Sequence, residues 1–476
     1  MQLLSIVAAL ALQAPAEINH IRPAATWEAN FELKLPYKSK GAGIGWFPKS
    51  ADTSKVTWDE PNVPGGLSIG FDSENPPSQD WFNADGNIDN KPQHEVSIHW
   101  NGMEIANRLS SVDFRSPYTK NVSVKVRFVT GGAMVDVAIE QTAVYKDYFV
   151  PTCLTFDAKL EGSEVTNSPS INKLTHKESG RALESSPPTT VSIFSSALTD
   201  AKSHSQTSLI TVPPSLYGKD GLFRGRIIAR LKLHEPQGGF DPWDRMAAVF
   251  VKDQNGKKIE ILRYMTPYRR GHEWFYDVSY LAPLFKGQQN YEVWCETYGT
   301  GWLVDFDLIY YPGKVQKVAK RVELLWNEKP EIGNPDNSFE KQMPPAKVTR
   351  SVGTKAAELV ITATGHGMEP NSNNAGEFYA LGRTVTVGKS EFKNVLWKDD
   401  CYLNPCRPQR GTWKFSRAGW APGDIVRPWV IDASRAVPTG KDVTIKYAID
   451  PYLNEGRGKT WAPFHWIQGV YVEYSN

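Results

Sequence analysis

The sequence predicts an all-β protein built from sandwich units, and three observations carry that prediction. Short runs that alternate apolar and polar side chains recur along the chain, each closed by Gly, Pro, Asn or Asp. The composition favours turns and pleated surfaces, with 37 glycines, 33 prolines, 16 tryptophans and 19 tyrosines. Apolar spacing of helical period is scarce. At 476 residues the chain has room for several domains of about 150 residues each. Its 54 basic residues nearly balance 52 acidic ones, so no field draws it to nucleic acid or to a membrane surface. Recognition therefore falls to local sites.

Residues 1–16 read as a signal peptide. An apolar run, Leu3 to Leu12, precedes Ala14-Pro15-Ala16, the small-x-small form of a cleavage site before Glu17. The run is too short to cross a bilayer, and the expected location is periplasmic or secreted. A missing basic start leaves a buried N-terminal strand as the alternative. Residues 23–178 form the first unit, with alternating runs such as ANFELKLPY, LSIGFDSEN, HEVSIHWNG and VSVKVRFVTGGAMVDVAIE. GGLSIGFDSEN followed by QHEVSIHWNG is loosely similar to the concanavalin-A-like lectin jelly roll. Asp72, Asn75, Trp100 and Asn101 are candidates there for a sugar or calcium site, and equally for turn or edge positions. His94 and His99 fall on opposite faces of a strand, which argues against a shared metal.

Lys173 to Thr190 is polar and serine-rich, carries paired prolines, and reads as a linker. Residues 187–345 form the second unit and 346–476 the third, separated by the irregular EKPEIGNPDNSFEKQMPPAK. The third contains the runs AELVITATG, RTVTVG, DVTIKYAI and HWIQGVYVEY.

Chemistry concentrates in two stretches. FDPWDRMAAVFVKDQ, Phe240 to Gln254, sets Trp243, Asp244 and Arg245 at the mouth of a buried-strand pattern. An Asp beside an Arg is commonly a structural ion pair. YEVWCETYGTGW, Tyr291 to Trp302, alternates, so Glu292, Trp294, Glu296 and Tyr298 share one face and Val293, Cys295 and Thr297 the other. An acidic, aromatic face suits a carbohydrate, whose ring stacks on aromatic faces while carboxylates accept its hydroxyls.

FDPWDRMAAVFVKDQNGKKIEILRYMTPY, YEVWCETY and LVDFDLIYY (Leu303 to Tyr311) resemble, in order and spacing, the first domain of the peptide:N-glycosidase F family of bacterial amidases. TTVSIF (Thr189 to Phe194) resembles that domain's opening strand. GHG (Gly365 to Gly367), NAGEF (Asn374 to Phe378) and TWKFSRAGWAPG (Thr412 to Gly423) resemble landmarks of its second domain. The resemblance covers residues 187–476. It implies two stacked eight-stranded jelly rolls with the active site between them. It further implies hydrolysis of the amide joining asparagine to the innermost N-acetylglucosamine of N-glycosylated proteins and glycopeptides, leaving aspartate and an intact glycan.

Carried over residue by residue, the resemblance makes Asp244 the principal catalytic residue, acting through the attacking water. Glu377 would activate water or carbonyl across the interface, and Glu296 would position the sugar or tune pKa values. It implies Trp243, Arg245, Tyr298, His366, Arg417 and Trp420 as substrate-binding, with Tyr298 and His366 standing where the family has tryptophan. No cofactor is implied, and a monomer is expected. Paired carboxylates leave an endo-glycosidase open as an alternative, and the first unit leaves open a lectin without catalysis.

Nine histidines are scattered with no H-x-H or H-x-x-x-H pair, and His366 with Met368 is an isolated couple, so no metal is expected. Of four cysteines, Cys153 and Cys295 read as free thiols. Cys401 and Cys406, in CYLNPC, are expected to form one short-loop disulfide in an exported protein.

Overall fold

A computed structural model describes residues 26–35, 39–47, 51–76, 94–115, 117–151, 164–167, 170–180, 187–367, 376–454 and 462–475. The expected signal peptide, Cys153 and Met368 lie outside the described residues. No helix among the described residues is long and apolar enough to cross a membrane.

The first ten strands are β1 (Thr26–Leu33), β2 (Gly41–Phe47), β3 (Leu67–Asp72), β4 (Glu95–Trp100), β5 (Met103–Leu109), β6 (Lys120–Val129), β7 (Gly132–Ile139), β8 (Thr142–Pro151), β9 (Glu164–Asn167) and β10 (Ile171–Ser179). They form two antiparallel sheets, ordered β10-β1-β6-β7-β8 and β5-β4-β3-β2-β9. Period-2 patterning drives them together: β6 turns Val122, Val124, Val126 and Phe128 inward, and Trp27 stacks on Trp46 at 5.6 Å in the shared core. Successive strands β2 to β5 and β6 to β8 pair in sequence, so this sandwich meanders, and the loose likeness to a lectin jelly roll is not carried by its topology.

Strand β10 occupies much of the stretch expected as linker. It pairs with β1 from Thr26 to Leu33, and the backbone ladder forms although most of its polar side chains face solvent. The candidate sugar or calcium residues of this unit are structural. Trp100 is in the core, and Asn101, at positive φ, caps a turn by accepting from Gly65 N at 2.6 Å. Asp72 is buried and accepts from Glu74 N, while Asn75 donates to Glu95 and, across units, to the Tyr402 carbonyl at 2.8 Å.

The next eight strands are β11 (Thr189–Thr199), β12 (Ser205–Thr211), β13 (Gly225–His234), β14 (Met246–Lys252), β15 (Lys258–Met265), β16 (Glu273–Asp277), β17 (Gln288–Cys295) and β18 (Trp302–Pro312). The last eight are β19 (Ala319–Glu328), β20 (Ala346–Thr349), β21 (Ala356–His366), β22 (Leu381–Val387), β23 (Ser390–Leu396), β24 (Trp429–Asp432), β25 (Asp442–Ile449) and β26 (Phe464–Tyr474). The sheet orders are β11-β18-β13-β16 with β12-β17-β14-β15, then β19-β26-β21-β24 with β20-β25-β22-β23. Both sets follow one rule, in which the first strand pairs the last and the chain changes sheet at every step except the central hairpin, β14-β15 or β22-β23; that interleaving is the jelly roll. β19 lies ahead of the boundary expected at 345. It pairs with β26, so the third unit's sheets begin at Ala319, and the proline-rich stretch after it, with one short helix at Phe339–Gln342, lies within that unit.

The two jelly rolls share apolar packing: the second unit's core continues through Val360, Ile425, Val470, Val472 and Tyr474 of the third. A buried polar network crosses the same seam. Arg263 donates to Glu260 at 3.0 and 2.6 Å, to Thr364 Oγ1 at 2.8 Å and to the Trp466 carbonyl at 2.7 Å, while its guanidinium lies 3.7 Å over the Trp466 ring. The charge is buried but its donors are met, which is the condition for such a group to be tolerated. The first unit docks on the third through Arg407, which donates to Glu95 at 2.6 Å, Glu60 at 2.9 Å and Glu104 at 3.4 Å.

The expected Cys401–Cys406 disulfide is absent. Both thiols are buried and free; Cys401 Sγ contacts the Lys398 and Trp420 carbonyls, and Cys406 packs beside Gly423. The turn Cys401–Leu403 and the side-chain anchor of Asn404 point the two sulfurs at different neighbours. Reductant is therefore expected to leave the melting temperature unchanged; a fall of the size that follows loss of a native bridge, about 2–5 kcal/mol in stability, would contradict the free thiols.

Candidate active site at the seam of the two jelly rolls

Asp244 sits two residues ahead of β14, in a loop held from three sides. Asp241, fully buried, accepts from Trp243 N at 2.9 Å and from Thr297 Oγ1 at 2.6 Å, and pairs with Arg245 at 3.4 Å. Thr266, just beyond β15, accepts from Arg245 N at 2.8 Å and donates its own N–H to the Arg245 carbonyl at 3.0 Å. The Asp241-Pro242 pair starts the turn because an Asp side chain mimics a backbone acceptor two residues on. The WDR triplet is thus presented by a rigid loop.

The opposing wall comes from the third unit. β21 ends at His366, and Glu377 follows in the turn leading to β22. Gly365 must be glycine, since a Cβ there would lie 1.9 Å from the Gly376 carbonyl and 2.7 Å from Ala418. Loop residues 423–426 are stitched to β15 by Gly423 N to Met265 O, Met265 N to Asp424 O and Val426 N to Arg263 O, at 2.8 to 3.0 Å. That ladder carries Arg417 and Trp420 to the seam.

Arg417 joins the two walls. Its side chain is 1% exposed; Nε donates to Glu377 Oε1 at 3.1 Å, and Nη2 lies 3.6 Å from Asp244 Oδ2. The other contacts are to the Thr412 and Phe415 carbonyls at 2.8 and 2.9 Å, Thr412 Oγ1 at 2.8 Å and Tyr268 Oη at 3.4 Å. Protein groups occupy this guanidinium throughout, so it positions the carboxylates.

Burial pushes the Asp244 carboxyl above its ordinary range, against the pull of Arg417, a hydrogen bond from Tyr268 and the charge of Arg245. Burial pushes Glu377 up to about 7, with Arg417 pulling down and Asp244 adding a push. The phenol of Tyr268 is itself held protonated by burial and by Asp244. Both carboxyls are thus held above their ordinary range, and as neighbours on one guanidinium they titrate as a pair.

A cavity of about 610 Å³ opens between these walls, lined by Asp244, Arg245, Glu296, Tyr298, His366, Glu377 and Trp420, with Lys329 and Phe464. Glu296 accepts from Tyr298 Oη at 3.1 Å, and Arg245 lies 5.2 Å over the Tyr298 ring. Tyr298 and Trp243 are 62% and 58% exposed, which leaves their rings open to stack, although Trp243 is not in the cavity lining. His366 and Trp420 are different. Both are buried and stack on each other at 5.6 Å; Trp420 donates to the Gly365 carbonyl, and burial lowers His366 so far that it is neutral.

Of the sequence-derived candidates, Asp244, Arg245, Glu296, Tyr298, His366, Glu377 and Trp420 line the cavity, Arg417 braces two of them, and Trp243 lies outside the lining. Sequence reasoning missed Asp241, Thr266, Tyr268 and Lys329. The Asp-Pro turn signal ahead of Trp243 pointed to the first. Lys329, whose Nζ sits 4.7 Å over Trp466 and 5.1 Å over Trp294, stands in the irregular stretch between the second and third units and carries no local signal.

A model of the family "Peptide-N-glycosidase F, C terminal" matches residues 334–462. No curated protein matches the chain. Among solved structures, PNGase F, a glycosylasparaginase from Flavobacterium meningosepticum, superposes with a TM-score of 0.54 at 22% identity, covering 61% of this chain and 97% of that one. A peptide-N(4)-(N-acetyl-β-D-glucosaminyl) asparagine amidase gives a TM-score of 0.54 at 22% identity with the same coverage. By sequence the match to that family is confined to residues 334–462, and the likeness to the two amidase structures is one of fold.

Proposed function

We propose that this chain is an exported amidase that hydrolyses the side-chain amide of N-glycosylated asparagine, releasing the whole glycan and leaving aspartate. One observation carries the reading: two carboxylates from two jelly rolls, Asp244 and Glu377, are braced on one buried guanidinium at the wall of a cavity of about 610 Å³. Amide hydrolysis needs a base for water and a donor for the carbonyl oxygen, and carboxylates whose environments differ divide those tasks. In this reading Asp244 takes a proton from water as its oxygen adds to the amide carbon, while protonated Glu377 donates a hydrogen bond to the carbonyl oxygen. Asp244 then returns the proton to the departing nitrogen as the C–N bond breaks. Tyr298, Trp243 and Glu296 receive the first sugar, with Arg245 orienting Tyr298.

The test is mass spectrometry of a purified N-glycopeptide incubated with the protein in water enriched in oxygen-18. The expected product is a peptide with one heavy oxygen in a new aspartate, together with an intact glycan. An asparagine that retains one sugar would replace the amidase with an endo-glycosidase, and a bound but unchanged peptide would leave a lectin.

A further inference from the structure

A second concavity, sharing no lining residue with the first, lies where all three units meet. Its volume is about 520 Å³. Its floor is the outer face of sheet β11-β18-β13-β16, where Phe275 packs with Ile228 and Tyr311, and Phe149 of β8 closes one side. Most of its charge is already matched. Arg226 pairs with Asp277 and lies 3.9 Å over Phe149, while Lys317 pairs with Glu358, which also accepts from Tyr474 Oη at 2.5 Å. Arg427 is the exception: it lines the groove, is exposed, and makes no hydrogen bond or ion pair among the described residues. The phenols of Tyr148 and Tyr276 and the carboxylates of Asp424 and Asp400 lie near enough to act on its charge, although none of them hydrogen-bonds it.

We propose that this groove is a second binding site, for a saccharide unit bearing a carboxylate. Aromatic walls suit the apolar faces of a sugar ring, and the paired charges have lone pairs and N–H groups left for hydroxyls. A free planar guanidinium is the group that takes a carboxylate on two parallel N–H bonds. Within the lining the cations Arg226, Lys317 and Arg427 outnumber the anions Asp277 and Glu358; Asp424 and Asp400 offset Arg427 from outside the lining without taking its N–H donors, so it is those open donors, not a net charge, that a carboxylate would meet. The site is independent of the amidase reading, because none of its residues touches the cavity at the seam.

Saturation-transfer NMR of the full chain tests it, with sialyllactose, lactose and acetate as probes. The expected result is transfer to the acidic sugar's protons, an affinity for sialyllactose roughly tenfold or more above that for lactose, and no effect of E377Q. R427Q should remove the transfer. Val430→Glu, at an exposed rim position, should do the same by repulsion without touching Arg427. Equal binding of lactose and sialyllactose, acetate displacing the sugar completely at matched concentration, or transfer that survives both variants would overturn the proposal.

Discussion

Asp244→Asn is expected to lower kcat/KM for release from a glycopeptide by about 10² to 10⁴, the usual contribution of one positioned proton transfer. The substitution keeps the shape and a hydrogen-bonding group beside Arg417 and Tyr268, so the thermal melt should change little while the base is lost. Glu377→Gln should behave differently. Its amide still donates to a carbonyl oxygen, so activity falls less, but it no longer titrates. In the parent protein, activity should decline as pH rises through about 7, where Glu377 gives up its proton; that decline should be missing in Glu377→Gln. Stability carries the same sign. A carboxyl raised from 4.5 to about 7 contributes stability that is fully present below pH 4.5 and is lost as pH climbs through 7. Rates for Asp244→Asn close to the parent's, or a pH profile unchanged in Glu377→Gln, would remove both assignments.

Arg417→Met should produce the largest combined loss, in stability as well as activity. It leaves two carboxyls adjacent at a buried seam and strips the Thr412 and Phe415 carbonyls of their donor. Breaking a buried pair by removing one partner costs about 3–5 kcal/mol, because the remaining charge has no compensation. Arg417→Lys keeps a charge but not the fork, and one ammonium does not reach Glu377, Asp244 and two carbonyls together. Its activity decline should move to higher pH, since weaker attraction lets burial raise Glu377 further. Melting curves and pH profiles of both variants check this. A parent-like melt for Arg417→Met would mean that the seam is held by apolar packing and the Arg263 network alone.

Much of this protein was legible along the chain because the signals concerned are local. The period-2 runs of β6, β22 and β25 identify themselves, since the side of a strand is set by position and burial follows. The ordered motifs around Asp244, Glu296, Glu377 and Arg417 likewise marked residues that meet at one seam. What the chain did not show depends on partners far off in sequence. Polar β10 is a strand because the edge of β1 offers it a ladder, and β19 joins the third unit because β26, nearly 150 residues later, lies beside it. Cys401 and Cys406 are close in sequence, yet the carbonyls and glycine around them take the two sulfurs apart. Arg417 reads as a ligand-binding arginine until its donors are traced to Thr412, Phe415, Tyr268 and the two carboxylates; Trp420 reads as a stacking platform until His366 covers it. The sequence by itself determined the strands, their inward faces and the chemical groups available. Tertiary structure alone decided which of those groups remain free, because a donor or a ring face is satisfied by whatever folding brings against it.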